Sequence, residues 1–301
     1  MRVSERGLTR RRFCAAGAAL VPLVGSGTRV LGEVTTPQLA IDTHAHVFHR
    51  GLKLAAGRRY APDYDAPLEL YLQQLDANGM TNGVLVQPSF LGTDNSYLLE
   101  CLKQARGRLR GIAVVDPAVS SQEIIALEKA RVVGIRLNLV GQPLPDFSAS
   151  EWKALLALVK SANWQVEVQR NASDLVGLAP KLLDAGVNVV LDHYALPDPK
   201  LGVDDPAFQS ILKLGASGHM WVKISAPYRN GPGGAAFAKQ AYPLLRVSFG
   251  PDRLLWGSDW PHTQFESSET YEKNRRFLNE LVTDGRERAD VLIAPRALFR
   301  F

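Results

Sequence analysis

Eight short runs of apolar, largely β-branched residues recur along this chain, and a longer amphipathic segment follows each one. That alternation constrains the fold more than any single motif does. The runs are Leu39–His46, Gly83–Gln87, Gly111–Val115, Gly134–Leu139, Gln165–Gln169, Asn188–Asp192, Met220–Ser225 and Leu254–Ser258. Helical patterns lie between and after them at Leu68–Ala77, Tyr97–Ala105, Ser121–Ala130, Ser150–Ser161, Ser173–Ala185, Phe208–Gly215, Ala235–Val247 and Ser268–Val282. Strands that read as nearly continuous apolar runs belong to a parallel sheet covered on both faces. Eight such units predict an α/β fold, a single (β/α)8 TIM barrel, whose usual size is about 250 residues. A doubly wound open sheet would place a glycine-rich phosphate turn after its first strand, and this chain has His44-Ala45-His46-Val47 there. No low-complexity linker or charge run divides residues 39–301, so one barrel is predicted over that span.

The first residues follow another pattern. Thr9-Arg10-Arg11-Arg12-Phe13 is followed by an apolar, small-residue stretch from Cys14 to Val24, too short to span a bilayer. This predicts a twin-arginine-type signal peptide over residues 1–32, export by that route to the periplasm, and no stable membrane insertion after processing. The leader also accounts for the charge. Six arginines against Glu5 lie within it, and the formal net charge of the whole 301-residue chain is +5. The remainder is near neutral, so a nucleic-acid partner is not expected. Beyond the leader only Cys101 remains, in an apolar helical pattern that predicts a buried thiol.

In a barrel of this kind, polar residues at the carboxyl ends of the strands are the candidates for chemistry. The first strand ends in His44 and His46, whose i, i+2 spacing puts both imidazoles on one face. The second leads to Gln87, Ser89 and Thr93, the fourth carries Arg136 and Asn138, and the fifth carries Glu167 and Gln169. The sixth ends in Asp192 and His193, the seventh in Lys223, Ser225, Tyr228 and Arg229, and the eighth in Ser258, Asp259 and His262. Asp259 is placed either to take a proton from water or to cap the next helix. A buried Arg136 requires an anion, either Glu167 or a carboxylate of the substrate. Arg229 lies in a Gly/Pro-rich loop that suits a lid or a solvated surface, and Tyr60 lies on a long connection suited to covering a substrate. Asp42, Lys223, Trp256 and Trp260 read as structural, His49 and His219 as surface residues.

Seven ordered blocks carry a family resemblance. They are Asp42-Thr43-His44-Ala45-His46-Val47-Phe48, Val84–Ser89, Gly92–Asn95, Gly111–Pro117, Gly134–Asn138, Val222–Arg229 and Trp256-Gly257-Ser258-Asp259-Trp260-Pro261-His262. Together they resemble the amidohydrolase superfamily, in its amidohydrolase-related branch. The nearest likeness is to the group containing 2-pyrone-4,6-dicarboxylate lactonase and sugar lactonases. The resemblance implies hydrolysis of a small, anionic or hydroxylated lactone, with Asp259 as general base. It implies that His44, His46 and His193 polarise the carbonyl, directly or through a divalent metal. Arg136, Arg229, Ser89, Thr93, Tyr60 and Asn138 are the implied substrate-binding residues. The cofactor expected is none or one divalent ion, zinc, held by His44, His46 and Asp259; no organic cofactor is expected. A metal-dependent decarboxylase or another amidohydrolase of the branch is the alternative.

Two departures shape these expectations. The dicarboxylate lactonase has a second arginine shortly after the one on strand 4, whereas Val140-Gly141-Gln142-Pro143-Leu144-Pro145 has no cation. A second anionic group on the substrate would then lack a partner. The fifth strand carries Glu167 and Gln169 where two-metal members have a histidine, which argues against a binuclear site.

Overall fold

The computed structural model describes residues 38–301; the predicted export signal lies outside the described residues. The strands are β1 (Ile41–Ala45), β2 (Asn82–Val86), β3 (Leu109–Ala113), β4 (Val132–Asn138), β5 (Gln165–Gln169), β6 (Asn188–Leu191), β7 (Met220–Lys223) and β8 (Leu254–Leu255). They form one sheet in the order β1 to β8, every neighbouring pair parallel. The helices α1 (Leu68–Ala77), α2 (Ser96–Gln104), α3 (Ser121–Lys129), α4 (Ser150–Ser161), α5 (Ala172–Asp184), α6 (Pro206–Leu214), α7 (Gly234–Phe249) and α8 (Tyr271–Leu281) alternate with the strands. This is the predicted alternation. Capping residues fix several helix starts: Ser120 and Glu123 form a reciprocal box at α3, and Asp205 and Thr270 accept from Ala207 N and Lys273 N.

The ring closes where the prediction was least accurate. The eighth strand was expected over Leu254–Ser258, but only Leu254 and Leu255 pair with β7. The following residues turn to β1 instead. Thr43 N donates to Trp256 O at 3.0 Å, Asp259 N to His44 O at 2.8 Å, and His46 N to Trp260 O at 2.7 Å. The chain carrying Asp259 is therefore hydrogen-bonded to the chain carrying the two histidines. Gly257 permits this close approach, because a Cβ at that position would lie 2.6 Å from His44 Cβ.

Apolar packing occurs in two places. One cluster fills the space between strands and helices, with Tyr71, Leu75, Leu102, Leu155, Leu182, Phe208 and Leu245 fully buried. The other joins Ile41, Val84, Val86, Ile112, Val133, Val190 and Leu255, contributed by six strands, with Phe299. Phe299 belongs to α10 (Pro295–Phe299), which follows α9 (Gly285–Ile293). The sequence reading stopped at Val282 and missed both helices. Both are short and charge-rich, and the apolar residues they bury, Val291, Leu292 and Phe299, are too few to show a helical period in the sequence. Cys101 is buried as expected. Among the described residues, no helix is long and apolar enough to cross a membrane.

Candidate active site

The backbone turns sharply at three residues beyond two strand ends. His193 (φ 50°), Asp259 (φ 60°) and His262 (φ 66°) all adopt left-handed conformations. Non-glycine residues there cost about 1–3 kcal/mol each and persist only where surrounding structure enforces them. His193 and Asp259 line the site, and His262 supports it through the Tyr228 hydroxyl, 3.2 Å from its Nδ1.

The histidines face the carboxylate. His44 Nε2 is 3.6 Å from Asp259 Oδ1, His193 Nε2 is 3.8 Å away and His46 Nε2 is 3.9 Å away. The other oxygen, Oδ2, accepts from the Tyr228 hydroxyl at 2.6 Å and from Arg229 Nε at 2.7 Å. Oδ1 is fully buried and has no hydrogen-bond partner. One oxygen of the carboxylate is thus anchored while the other is left open toward three imidazoles.

A directed hydrogen-bond chain fixes two of the rings. Lys223 Nζ lies 2.5 Å from Glu167 Oε2, 3.3 Å from Asp192 Oδ1 and 2.9 Å from His44 Nδ1. An ammonium flanked by two carboxylates can only donate, so His44 Nδ1 accepts and its proton resides on Nε2. That N–H points at His46 Nε2, 3.2 Å away, and His46 Nδ1 donates to Val86 O at 2.7 Å. The third ring is held by Ser225, whose Oγ is 2.9 Å from His193 Nδ1.

Electrostatics set the resting protonation. Burial lowers all three imidazoles, with the cations Lys223 and Arg136 adding to the effect at His44 and His46: His46 falls to about 3 and His193 to about 4. They are neutral near pH 7. Burial alone would raise Asp259, but Arg229 and the three rings outweigh it and hold the carboxyl well below its ordinary value. Around Lys223, Asp192 is likewise lowered against burial by Lys223, His44 and Arg136, whereas burial prevails at Glu167 and raises it.

Most of the sequence candidates converge on one cavity of about 610 Å³, lined by His46, Tyr60, Ser89, Arg136, Asn138, His193, Arg229 and Asp259. Arg136 is buried and paired with Asp192 instead of Glu167: its Nε and Nη2 donate to Asp192 Oδ2 at 3.2 and 3.1 Å, and Nη2 also donates to Gln169 Oε1 at 2.6 Å. Arg229 is neither lid nor solvated surface; it sits on a 3-10 turn, Pro227–Asn230, bound to Asp259. Thr93 is the exception. It is exposed and lines a separate depression beside Asn95 and Val115, because the turn through Gly92 carries it outward. Lys223, read as structural, reaches His44 directly, and Tyr228 reaches Asp259. The signal for Lys223 was present: a lysine inside a buried strand needs anions, and Asp192 follows the neighbouring β6 while Glu167 lies on β5.

The histidine and carboxylate atoms form two candidate ligand sets, His44, His46 and Asp259, and His44, Asp192 and His193, each within 4.8 Å. A sequence model for amidohydrolases matches residues 41–301. The chain belongs to the amidohydrolase family. It is 34% identical over 239 residues to a 2-pyrone-4,6-dicarboxylate hydrolase of Comamonas testosteroni, covering 75% of this chain and 78% of that protein. A 4-sulfomuconolactone hydrolase of Hydrogenophaga intermedia is 29% identical, covering 74% of this chain and 75% of the relative. The crystal structure of a probable 2-pyrone-4,6-dicarboxylic acid hydrolase from Acinetobacter baumannii, with citric acid bound, superposes with a TM-score of 0.84 at 41% identity, covering 87% and 99% of the two chains. More distant family structures that hold zinc or manganese are under 25% identical and share the fold alone.

Proposed function

We propose that this amidohydrolase opens a small anionic lactone by attack of water, with Asp259 as general base. The open Oδ1 of Asp259, buried and unpartnered opposite three imidazole Nε2 atoms, carries this reading. The relatives named as hydrolases of a pyrone dicarboxylate and a sulfomuconolactone support a lactone substrate, and citric acid bound in the Acinetobacter structure supports an anionic one. Asp259 Oδ1 removes a proton from water as its oxygen bonds to the lactone carbonyl carbon. The His44, His46 and His193 imidazoles facing Asp259 polarise the carbonyl and stabilise the developing oxyanion. Collapse breaks the ring C–O bond, and the leaving oxygen takes the proton from Asp259. The product hydroxy acid releases a proton to the medium at neutral pH. Arg136, Arg229, Tyr60, Ser89 and Asn138 orient the substrate in the cavity. The arginine-rich leader supports a periplasmic site for this activity.

Ligands around a tetrahedral zinc lie about 3.3 Å apart, and the distances among His44, His46 and Asp259 come near that value. The hydrogen bonds fit a zinc ion less well. A metal-bound histidine donates its other N–H to a carboxylate or carbonyl, as His46 does, but His44 Nδ1 lies 2.9 Å from the Lys223 ammonium and only 3.4 Å from Asp192 Oδ1, so the ammonium is its nearer partner and the proton stays on Nε2. The hydrolysis needs only the side chains named above.

A pH-indicator screen of lactones, run on protein dialysed against a chelator, tests the proposal. Acid release that survives chelation is expected, and Asp259→Asn should lower the rate by about 10²–10⁴-fold while binding is kept. Loss of CO2 from an aromatic acid, dependent on added metal and with no lactone hydrolysed, would establish the decarboxylase alternative instead.

A further inference from the structure

Three guanidinium groups line the cavity, and two are engaged: Arg136 with Asp192 and Gln169, Arg229 with Asp259. Arg59 differs from both. Among the described residues no carboxylate pairs with it, and its nearest polar partner is Asn138 Oδ1 at 3.5 Å, the outer limit of a hydrogen bond. It precedes Tyr60 on the loop after β1, which packs beside the β4 loop.

Its stem lies over Gly141, where a built Cβ would be 3.5 Å from Arg59 Cδ. Gly141 has φ +72°, a left-handed turn that keeps the β4 loop low beneath the arginine. A recess of about 160 Å³ opens beside it, lined by Arg58, Arg59, Ser89, Asn138, Val140 and Gln142, with the Arg58 guanidinium turned to Ala55 O at 3.1 Å. The Val140–Pro145 segment has no cation of its own, yet the space above it holds one supplied by another loop.

We propose that Arg59, with Asn138, forms the subsite for an anionic substituent of the substrate remote from the scissile carbonyl. This rests on the lactone-hydrolase reading for the site as a whole. It also replaces the sequence expectation that a second anionic group would find no partner. Arg59 is exposed at the cavity rim, where desolvation of its covered part and then the Arg136 and Arg229 charges disfavour the cation, so a bound carboxylate supplies the missing counter-charge. Asn138, accepting from Arg59 through Oδ1, retains its Nδ2–H2 to donate to the same anion. The nearby acid Asp205 does not compete, since backbone N–H groups of Asp198 and Ala207 occupy its oxygens at 2.8 Å each.

The probes are benzene-1,3-dicarboxylate and benzoate, planar rings with two and one carboxylates that the enzyme cannot open. Calorimetric titration should show the dicarboxylate binding more tightly to the unaltered protein. A charge-assisted pair of this kind is worth about 10- to 100-fold in affinity, so Arg59→Gln should lose that factor for the dicarboxylate. Its benzoate affinity should stay within about twofold, which also reports an intact site. With lactone substrates the loss should fall on KM more than on kcat. Equal loss for both probes, or no preference for the dicarboxylate in the unaltered protein, overturns the proposal. Should Arg59→Gln discriminate between the probes although no lactone is hydrolysed, the hydrolase reading fails and the anion subsite stands.

Discussion

Replacing Lys223 by methionine tests the charge balance at the centre of the barrel. In the native fold Lys223 and Arg136 offset Glu167 and Asp192, all four with side chains 3% exposed or less. Lys223→Met leaves one carboxylate in excess in a buried site, a change that costs about 3–5 kcal/mol when nothing compensates. Glu167 has an escape, because burial already raises its carboxyl and it can take up a proton. With Glu167 raised to about 7 in the native fold, the carboxyl is neutral at pH 5 and ionised at pH 8, so only at the higher pH does the variant lose a charged pair. The expected destabilisation therefore exceeds its value at pH 5 by about 1.4 kcal/mol at pH 8, read from urea midpoints at constant m. Lys223→Met combined with Glu167→Gln leaves no surplus charge and should lie within about 1.5 kcal/mol of the native protein at both pH values. Activity separates a second role. Both variants remove the donor to His44 Nδ1, so both should lose at least about tenfold in kcat even where stability is restored. A destabilisation identical at pH 5 and 8, or a double variant equal to the sum of the singles, would refute the reasoning.

Two further outcomes follow from the same geometry. Stability should fall as pH drops from about 6.5 toward 4, because His46 and His193 titrate at about 3 and 4 in the folded chain and near 6.5 unfolded, so the unfolded state binds more protons in that window. Each imidazole contributes up to about 3 kcal/mol at pH 4, and His193→Asn should flatten the dependence in urea titrations at pH 7, 5 and 4. Gly257→Ala would drive a Cβ to 2.6 Å from His44 Cβ and 2.9 Å from His44 N. Parting the two chains should cost about 1–3 kcal/mol of stability and lower kcat, with unchanged kcat counting against the proposed coupling of Asp259 to the histidines.

Local periodicity and strand-end polarity were enough to anticipate the barrel and most of the residues that meet in its mouth. Apolar runs of strand length separated by amphipathic segments admit few other folds, and the fold sends the ends of all eight strands to one rim. His44, His46, His193 and Asp259 were legible for that reason. What the sequence could not show depends on distances between segments far apart in the chain. That Arg136 takes Asp192 instead of Glu167, that Lys223 sets the tautomer of His44, and that Tyr228 and Arg229 hold one oxygen of Asp259 while freeing the other follow from side-chain reach across the barrel. The same limit explains Arg59. A cation absent from Val140–Pro145 looked like a missing function, but the space above a segment is filled by whichever loop packs on it. Composition along one strand is fixed by the sequence itself, whereas the neighbours across the cavity are chosen only when the ring closes.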